Sequence, residues 1–288
     1  MRHTTTYTYD DAVSDSLGVA YLVPRVLPWQ QVPSHEVTVT PTPVDLTSDV
    51  DYYGNRVTYF QVSEPHRELC VEGISEVESL TPVHSDGALA RAWETLRPLL
   101  DAAIPGAWRA ADFALASAHA EHLPAAREYA AASLTPARSI GEAVTDLMHR
   151  VHADFDYDKT ATTVTSTVGH ILERRAGVCQ DFAHLMLACL RSHGLAVRYV
   201  SGYLATTPPA GKERVVGADA SHAWVEVWLG DGEWLALDPT NDQWAGDRYV
   251  TVAWGRDYGD VPPLKGVIFT EAKRSTMRVA VDVAPLGD

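Results

Sequence analysis

Apolar and polar residues alternate along much of the first eighty positions of the chain. Val37-Thr38-Val39-Thr40, Val57-Thr58-Tyr59-Phe60-Gln61-Val62 and Leu69-Cys70-Val71-Glu72 are β-branched or alternating runs with the two-residue period of half-buried strands. Tyr53-Gly54-Asn55 and Glu64-Pro65 supply turn chemistry between them. Short strands at regular spacing predict an antiparallel β-sandwich over residues 1–82.

Near residue 86 the period changes, and residues 83–175 read as an alanine-rich helical part. Leu89, Trp93, Leu96 and Leu100 recur at helical spacing. Ser139-Ile140-Gly141-Glu142 has the order of a capping box, and Ile140, Val144, Leu147, Met148 and Val151 continue as its apolar stripe. A shorter helix is predicted at 167–174. Residues 176–245 begin with a helix at Cys179 that carries Phe182, Met186, Cys189 and Leu190 on one face and ends near Gly194. Strands follow at about 197–204, 222–229 and 233–238. Residues 246–288 form a C-terminal loop and a closing strand at 277–283. The expected class is α+β: a sandwich over 1–82, then a second domain over 83–288.

Composition narrows the partners. The 288-residue chain is 46% hydrophobic and carries a net charge of −15. That charge argues against nucleic acid and anionic membrane, since both need a cationic face. No stretch has the roughly 18 continuous apolar residues of a membrane span. Met1-Arg2-His3-Thr4-Thr5-Thr6 lacks the apolar run of a secretory signal, so a cytoplasmic location is expected. Cys70, Cys179 and Cys189 include no CxxC pair, hence neither a disulfide framework nor a zinc cage is predicted. No metal and no cofactor are expected. The sequence carries no signal for oligomeric state.

Candidate chemistry gathers on Cys179, His222 and Asp238. Cys179 opens a helix, where free N–H groups and the helix dipole favour a thiolate and can stabilise an oxyanion. His222 starts one strand, and Asp238 ends the next before Pro239. If Gly230-Asp231-Gly232 is a three-residue hairpin loop, paired positions sum to about 462. Asp238 then lies opposite Trp224, one diagonal step from His222 and on the same face. A carboxylate there can hold one imidazole nitrogen and leave the other for the sulfur. A Cys-His-Asp zinc site is the competing use of these residues, but no ligand pair has the short spacing of metal motifs. His184 points about 140° away from Cys179 on a helix and reads as structural. Asp181 reads as a cap, Cys189 and Cys70 as core. Trp224, Trp228 and Trp234 read either as packing or as the wall of a groove.

At these residues the chain resembles the bacterial transglutaminase-like proteins. The resemblance is carried by Gly177-Val178-Cys179-Gln180-Asp181-Phe182-Ala183-His184, Arg198-Tyr199-Val200-Ser201-Gly202-Tyr203, Ser221-His222-Ala223-Trp224-Val225-Glu226-Val227 and Leu237-Asp238-Pro239-Thr240-Asn241. Phe155-Asp156-Tyr157, the first ~80 residues and Gly255-Arg256-Asp257-Tyr258-Gly259-Asp260-Val261-Pro262-Pro263 extend it over most of the chain. It implies a papain-like core with Cys179 as nucleophile, His222 as base and Asp238 as its orienting partner. Tyr157 and Tyr203 are candidates for the second oxyanion donor. Tyr157, Tyr203 and Trp224 are the candidate substrate-binding residues. Gln180-Asp181 stands where animal transglutaminases have an aromatic residue, and no acidic calcium loop is visible. The implied function is acyl transfer from peptide or protein amides through a thioester, resolved by water or an amine. The alternative is a non-catalytic binding module that keeps the fold.

Overall fold

The computed structural model describes residues 1–101, 103–205 and 221–284. Five strands come first: β1 (Arg2–Ala20), β2 (Gln30–Thr40), β3 (Asp45–Val50), β4 (Arg56–Val62) and β5 (His66–Ser79). Helical segments α1 (Asp86–Leu89), α2 (Ala107–Ala110), α3 (Pro124–Ala131) and α4 (Ile140–Asp154) lead to β6 (Asp156–Tyr157). Helix α5 (Val168–Arg174), β7 (Ala176–Gly177) and α6 (Cys179–Arg191) precede the strands of the C-terminal half. These are β8 (Val197–Leu204), β9 (Ser221–Gly230), β10 (Glu233–Asp238), β11 (Gln243–Trp244) and β12 (Tyr249–Gly255), followed by β13 (Leu264–Thr270) and β14 (Ser275–Asp282).

In place of the two separate sheets expected of a sandwich, the N-terminal strands form one curled antiparallel sheet, order β2-β5-β1-β4-β3, organised by β1. Its first half pairs with β5 and β14, and its second half with β4 and β13, all antiparallel. The register shifts near Asp10–Val13, where the β1–β5 ladder jumps from Thr8 to Val13. Such a bulge bends one strand so that it serves two half-sheets. Tyr9, Val13, Phe60, Val62, Leu69 and Val71 bury their side chains between these half-sheets. The closing strand expected at 277–283 overlaps β14, which runs from Ser275 to Asp282. Its partner is β1, so the C-terminal segment completes the N-terminal sheet rather than the sheet that carries His222 and Asp238.

The second sheet has the order β11-β10-β9-β8-β12. Helix α6 packs on β8 and β9 and is itself covered by α3, α4 and α5. Its residues from Asp181 to Arg191 are all buried. Helix α4 begins as its sequence predicts: the Ser139 side chain accepts from Glu142 N, and Ile140, Val144, Leu147, Met148 and Val151 are buried. The helix expected through Leu89, Trp93, Leu96 and Leu100 is broken. Pro98 cannot continue it, and Ala92 is extended and bridged to Ser139.

Strand β12 ends the second sheet, and its free edge is met by side-chain amides from the N-terminal sheet region. Gln30 donates to Thr251 O and accepts from Thr251 N, at 2.8 and 2.9 Å. Asn55 makes the same pair with Trp254, again at 2.8 and 2.9 Å. Edge groups left bare would invite another strand, so the two halves of the molecule shield each other.

Candidate active site

The site begins with the start of α6. Val178 is extended, and the chain turns into helix at Cys179. The first N–H groups of a helix have no preceding turn to bond to, so those around Cys179 stay available for an anion. Asp181 folds back over this turn and accepts from Val178 N at 2.8 Å. Gly177 makes room for it, because a Cβ there would lie 2.8 Å from Asp181 Cβ. Asp181 thus acts as a cap, as its position in the first turn predicts. Cys179 itself is partly exposed.

The β9–β10 hairpin brings the other two residues together. Trp234 pairs with Trp228 and Leu237 with Val225, which is the register expected from the sequence. Only the tip differs. Glu233 pairs with Gly230, and the turn is Asp231-Gly232 with φ of 51° and 87°. A register shift between Glu233 and Trp234 restores the sum of 462. Two positive φ values match the right-handed twist of the strands.

His222 and Asp238 consequently share a face. His222 Nε2 lies 2.6 Å from Asp238 Oδ2, and Cys179 lies close enough to act on the same imidazole. With Nε2 on the carboxylate, Nδ1 is the nitrogen left for the sulfur. Asp238 is fully buried, and the His222 side chain is 10% exposed. Burial disfavours a charged imidazole. The hydrogen bonds and charges of Asp238 and Cys179 outweigh that and push His222 up to about 10. Burial likewise opposes ionisation of Asp238, but the bond and charge of His222, with bonds from Asn241 and Tyr249, hold it below the ordinary carboxylate range.

Asn241 and Tyr249 were not among the candidates. Asn241 Nδ2 donates to Asp238 Oδ2 at 2.7 Å, and the Tyr249 hydroxyl donates to the same oxygen at 2.7 Å. The Asp-Pro-Thr-Asn order around Asp238 is an Asx-type turn signal that points to Asn241. No local signal points to Tyr249, which comes from another strand.

The three substrate-binding candidates separate. Tyr157 is half exposed beside Cys179, and partial burial followed by the charge of Cys179 raises its hydroxyl. Tyr203 is not in the groove. It pairs with Ser221 while Gly202 pairs with His222, so it projects from the opposite face. There it is buried, and its hydroxyl meets His3 Nδ1 of β1 at 2.8 Å. Trp224 shares the face of His222 but is fully buried, edge-on to Tyr249 with centroids 5.2 Å apart. It supports the site from beneath and offers no surface to a substrate. Trp228 and Trp234 do line a cavity, of about 900 Å³, together with Arg198 and Trp254, but Cys179 is not part of its wall.

The remaining candidates are structural. His184 is buried and stacked on His119, its Nε2 accepts from Tyr258 N at 3.2 Å, and burial above all lowers it to about 3. Cys189 is fully buried, which raises its thiol to about 12. Cys70 lies in β5 and accepts a hydrogen bond from Thr6.

The sequence profile of the transglutaminase-like superfamily matches residues 125–239. That of the bacterial transglutaminase-like N-terminal region matches residues 1–78. An uncharacterized protein of Mycobacterium tuberculosis is 46% identical over 290 residues, covering 98% of this chain and 91% of that one. One from Mycobacterium leprae is 34% identical over 298 residues, covering 99% and 97%. The solved structure of a candidate cysteine protease from Cytophaga hutchinsonii superposes with a TM-score of 0.72 over 100% of this chain and 92% of that one. At 18% identity that likeness speaks for the fold alone. With both profiles matched and relatives aligned along nearly its whole length, the chain belongs to the transglutaminase-like superfamily and carries the N-terminal region of its bacterial members.

Proposed function

We propose that the protein is a cysteine-dependent acyl-transfer enzyme acting on amide bonds of peptides or proteins. The observation that carries this reading is the placement of His222 between Cys179 and a buried, ionised Asp238. His222 takes the thiol proton, and the Cys179 thiolate forms a C–S bond to the amide carbonyl carbon. The carbonyl oxygen takes the negative charge and is met by N–H groups at the start of α6. The Tyr157 hydroxyl is the candidate for the second donor. When the tetrahedral intermediate collapses, the C–N bond breaks and the imidazolium gives its proton to the leaving amine. Water or an amine then attacks the thioester, gives a proton to His222, and releases the sulfur. Water makes the enzyme a protease or amidase, and an amine makes it a transferase.

The test is a screen of fluorogenic peptide amides, with and without an added primary amine, run beside Cys179→Ala. Mass spectrometry of quenched reactions reads the acyl group on the Cys179 peptide. Turnover and acylation in the wild type, both absent from Cys179→Ala, are expected. Equal turnover by both proteins would overturn the reading. Tight peptide binding by both, without acylation of either, would favour the non-catalytic binding module.

A further inference from the structure

The carboxylate of Asp238 meets more donors than one imidazole requires. Oδ1 accepts the backbone N–H groups of Thr240 and Asn241 at 2.9 and 3.2 Å. Oδ2 accepts from His222 Nε2 at 2.6 Å, Asn241 Nδ2 at 2.7 Å and the Tyr249 hydroxyl at 2.7 Å. A further residue stands behind Tyr249: Gln243 Nε2 donates to its hydroxyl at 2.6 Å. An amide NH₂ can only donate, so the tyrosine oxygen accepts from Gln243 and its own proton is aimed at Asp238. Gln243 donates to Tyr249, and Tyr249 and His222 both donate to Asp238, so these hydrogen bonds converge on the carboxylate, with Cys179 beyond the imidazole.

We infer that Tyr249, held in orientation by Gln243, is a positioning residue that sets how strongly Asp238 retains the proton of His222. A carboxylate oxygen shares its negative charge among its donors. Each donor that takes a share leaves the oxygen less basic toward the imidazolium. Tyr249 and Asn241 therefore keep Asp238 ionised and moderate its hold on His222. That matters for a base that must surrender its proton to a leaving amine, because a dyad that binds the proton too strongly is a poor acid. Tyr249 comes from β12, outside the hairpin that carries His222 and Asp238, so it also ties the dyad to the opposite side of the sheet.

The groups that face the dyad are few. Cys179 approaches from α6, Asp238 from β10 and Tyr249 from β12, its ring 6.2 Å from that of His222. Tyr157 and Tyr199 lie in the field of Cys179, and Arg248 in that of Tyr249.

The inference rests on the proposed role of His222, but its physical core is testable without catalysis. In the full chain with Cys179→Ala, which removes the coupled thiol, the imidazole of His222 is titrated by NMR with labelled histidine. Tyr249→Phe deletes the donor. Replacing Tyr249 with 3,5-difluorotyrosine makes the hydroxyl a stronger donor, while burial and Asp238 hold it protonated. The expected shifts have opposite signs. The His222 pKa rises by roughly half a unit or more in Tyr249→Phe and falls by a comparable amount with the fluorinated ring. A purely structural Tyr249 would leave both unchanged or move both the same way, and either result overturns the inference. If Tyr249→Phe fails to fold, the fluorinated protein, which keeps the hydroxyl, decides alone. Opposite shifts stand even where Cys179 proves inert in the amide screen, so failure of the enzyme reading is seen separately.

Discussion

His222 and Asp238 face each other diagonally across the β9–β10 hairpin, with Nε2 of the imidazole 2.6 Å from Oδ2 of the carboxylate. The carboxylate is wholly buried, so its charge is poorly screened and acts mainly on the one ring beside it. A free histidine loses its proton near 6.5. With Asp238 and Cys179 outweighing the cost of burial, His222 holds its proton to about 10. Any activity that needs the imidazolium should therefore keep its basic limb far above pH 6.5, toward pH 10. Asp238→Asn should move that limb downward and reduce turnover less than His222→Ala, since an imidazole remains. A pH profile of kcat/KM for the three proteins checks both points. A wild-type basic limb near 6.5 would contradict the geometry.

Two buried histidines make the fold acid-sensitive. His3 is lowered to about 4 and His184 to about 3, in each case chiefly by burial. Both are neutral when folded, whereas the unfolded chain binds protons at about 6.5. The unfolded state thus gains protons first as pH falls, and stability declines from about pH 6.5 downward. At pH 5 each site should cost on the order of 2 kcal/mol. Urea unfolding at pH 7.5 and pH 5 reads the loss. His3→Gln should flatten the dependence, at the expense of some stability at pH 7.5 through its contact with Tyr203.

Gly202 has no room for a side chain. A Cβ there would lie 2.1 Å from Val250 O and 2.6 Å from the Trp224 ring. Neither is the loose end of a flexible chain, so the backbone or the tryptophan must move. Gly202→Ala should cost about 3 kcal/mol, the upper part of the range for overpacking. Because Trp224 supports His222, the same change should slow labelling of Cys179. Chemical denaturation and alkylation rates check the two effects.

Much of this site is legible in one dimension. The β9–β10 register follows from strand period and a glycine-bounded turn, and a bulge absorbs the one-residue error at the tip. Asp181 and the α4 cap follow from local hydrogen-bonding chemistry. What the sequence hides is set by contacts between distant strands. Tyr203 looks like a groove residue until β8 is paired with β9, when parity sends it to the face opposite His222. Tyr249 reaches Asp238 from β12, and nothing near Asp238 in sequence announces it. The partner of the last strand is equally non-local, since β14 returns to β1 over some 270 residues and no short-range pattern encodes the choice.

The three cysteines offer a test of activation that needs no substrate. Only the thiolate reacts readily with iodoacetamide, so labelling follows thiolate fraction and access. Cys179 is partly exposed, stands at the start of α6 and lies beside His222, whose imidazolium persists through neutral pH. Cys189 has no exposed surface, and burial pushes its thiol up to about 12. Cys70 is partly exposed but sits within a paired strand, where its sulfur accepts a hydrogen bond from Thr6. Limiting reagent at pH 6 should therefore modify Cys179 first and nearly alone, as read by peptide mapping. His222→Ala should slow that reaction by about tenfold or more, because it removes the charge that favours the thiolate. Asp181→Ala should slow it less, through loosening of the first turn of α6 that the carboxylate caps. Even labelling of all three cysteines in folded protein would mean that Cys179 is not activated, and the acyl-transfer proposal would lose its nucleophile.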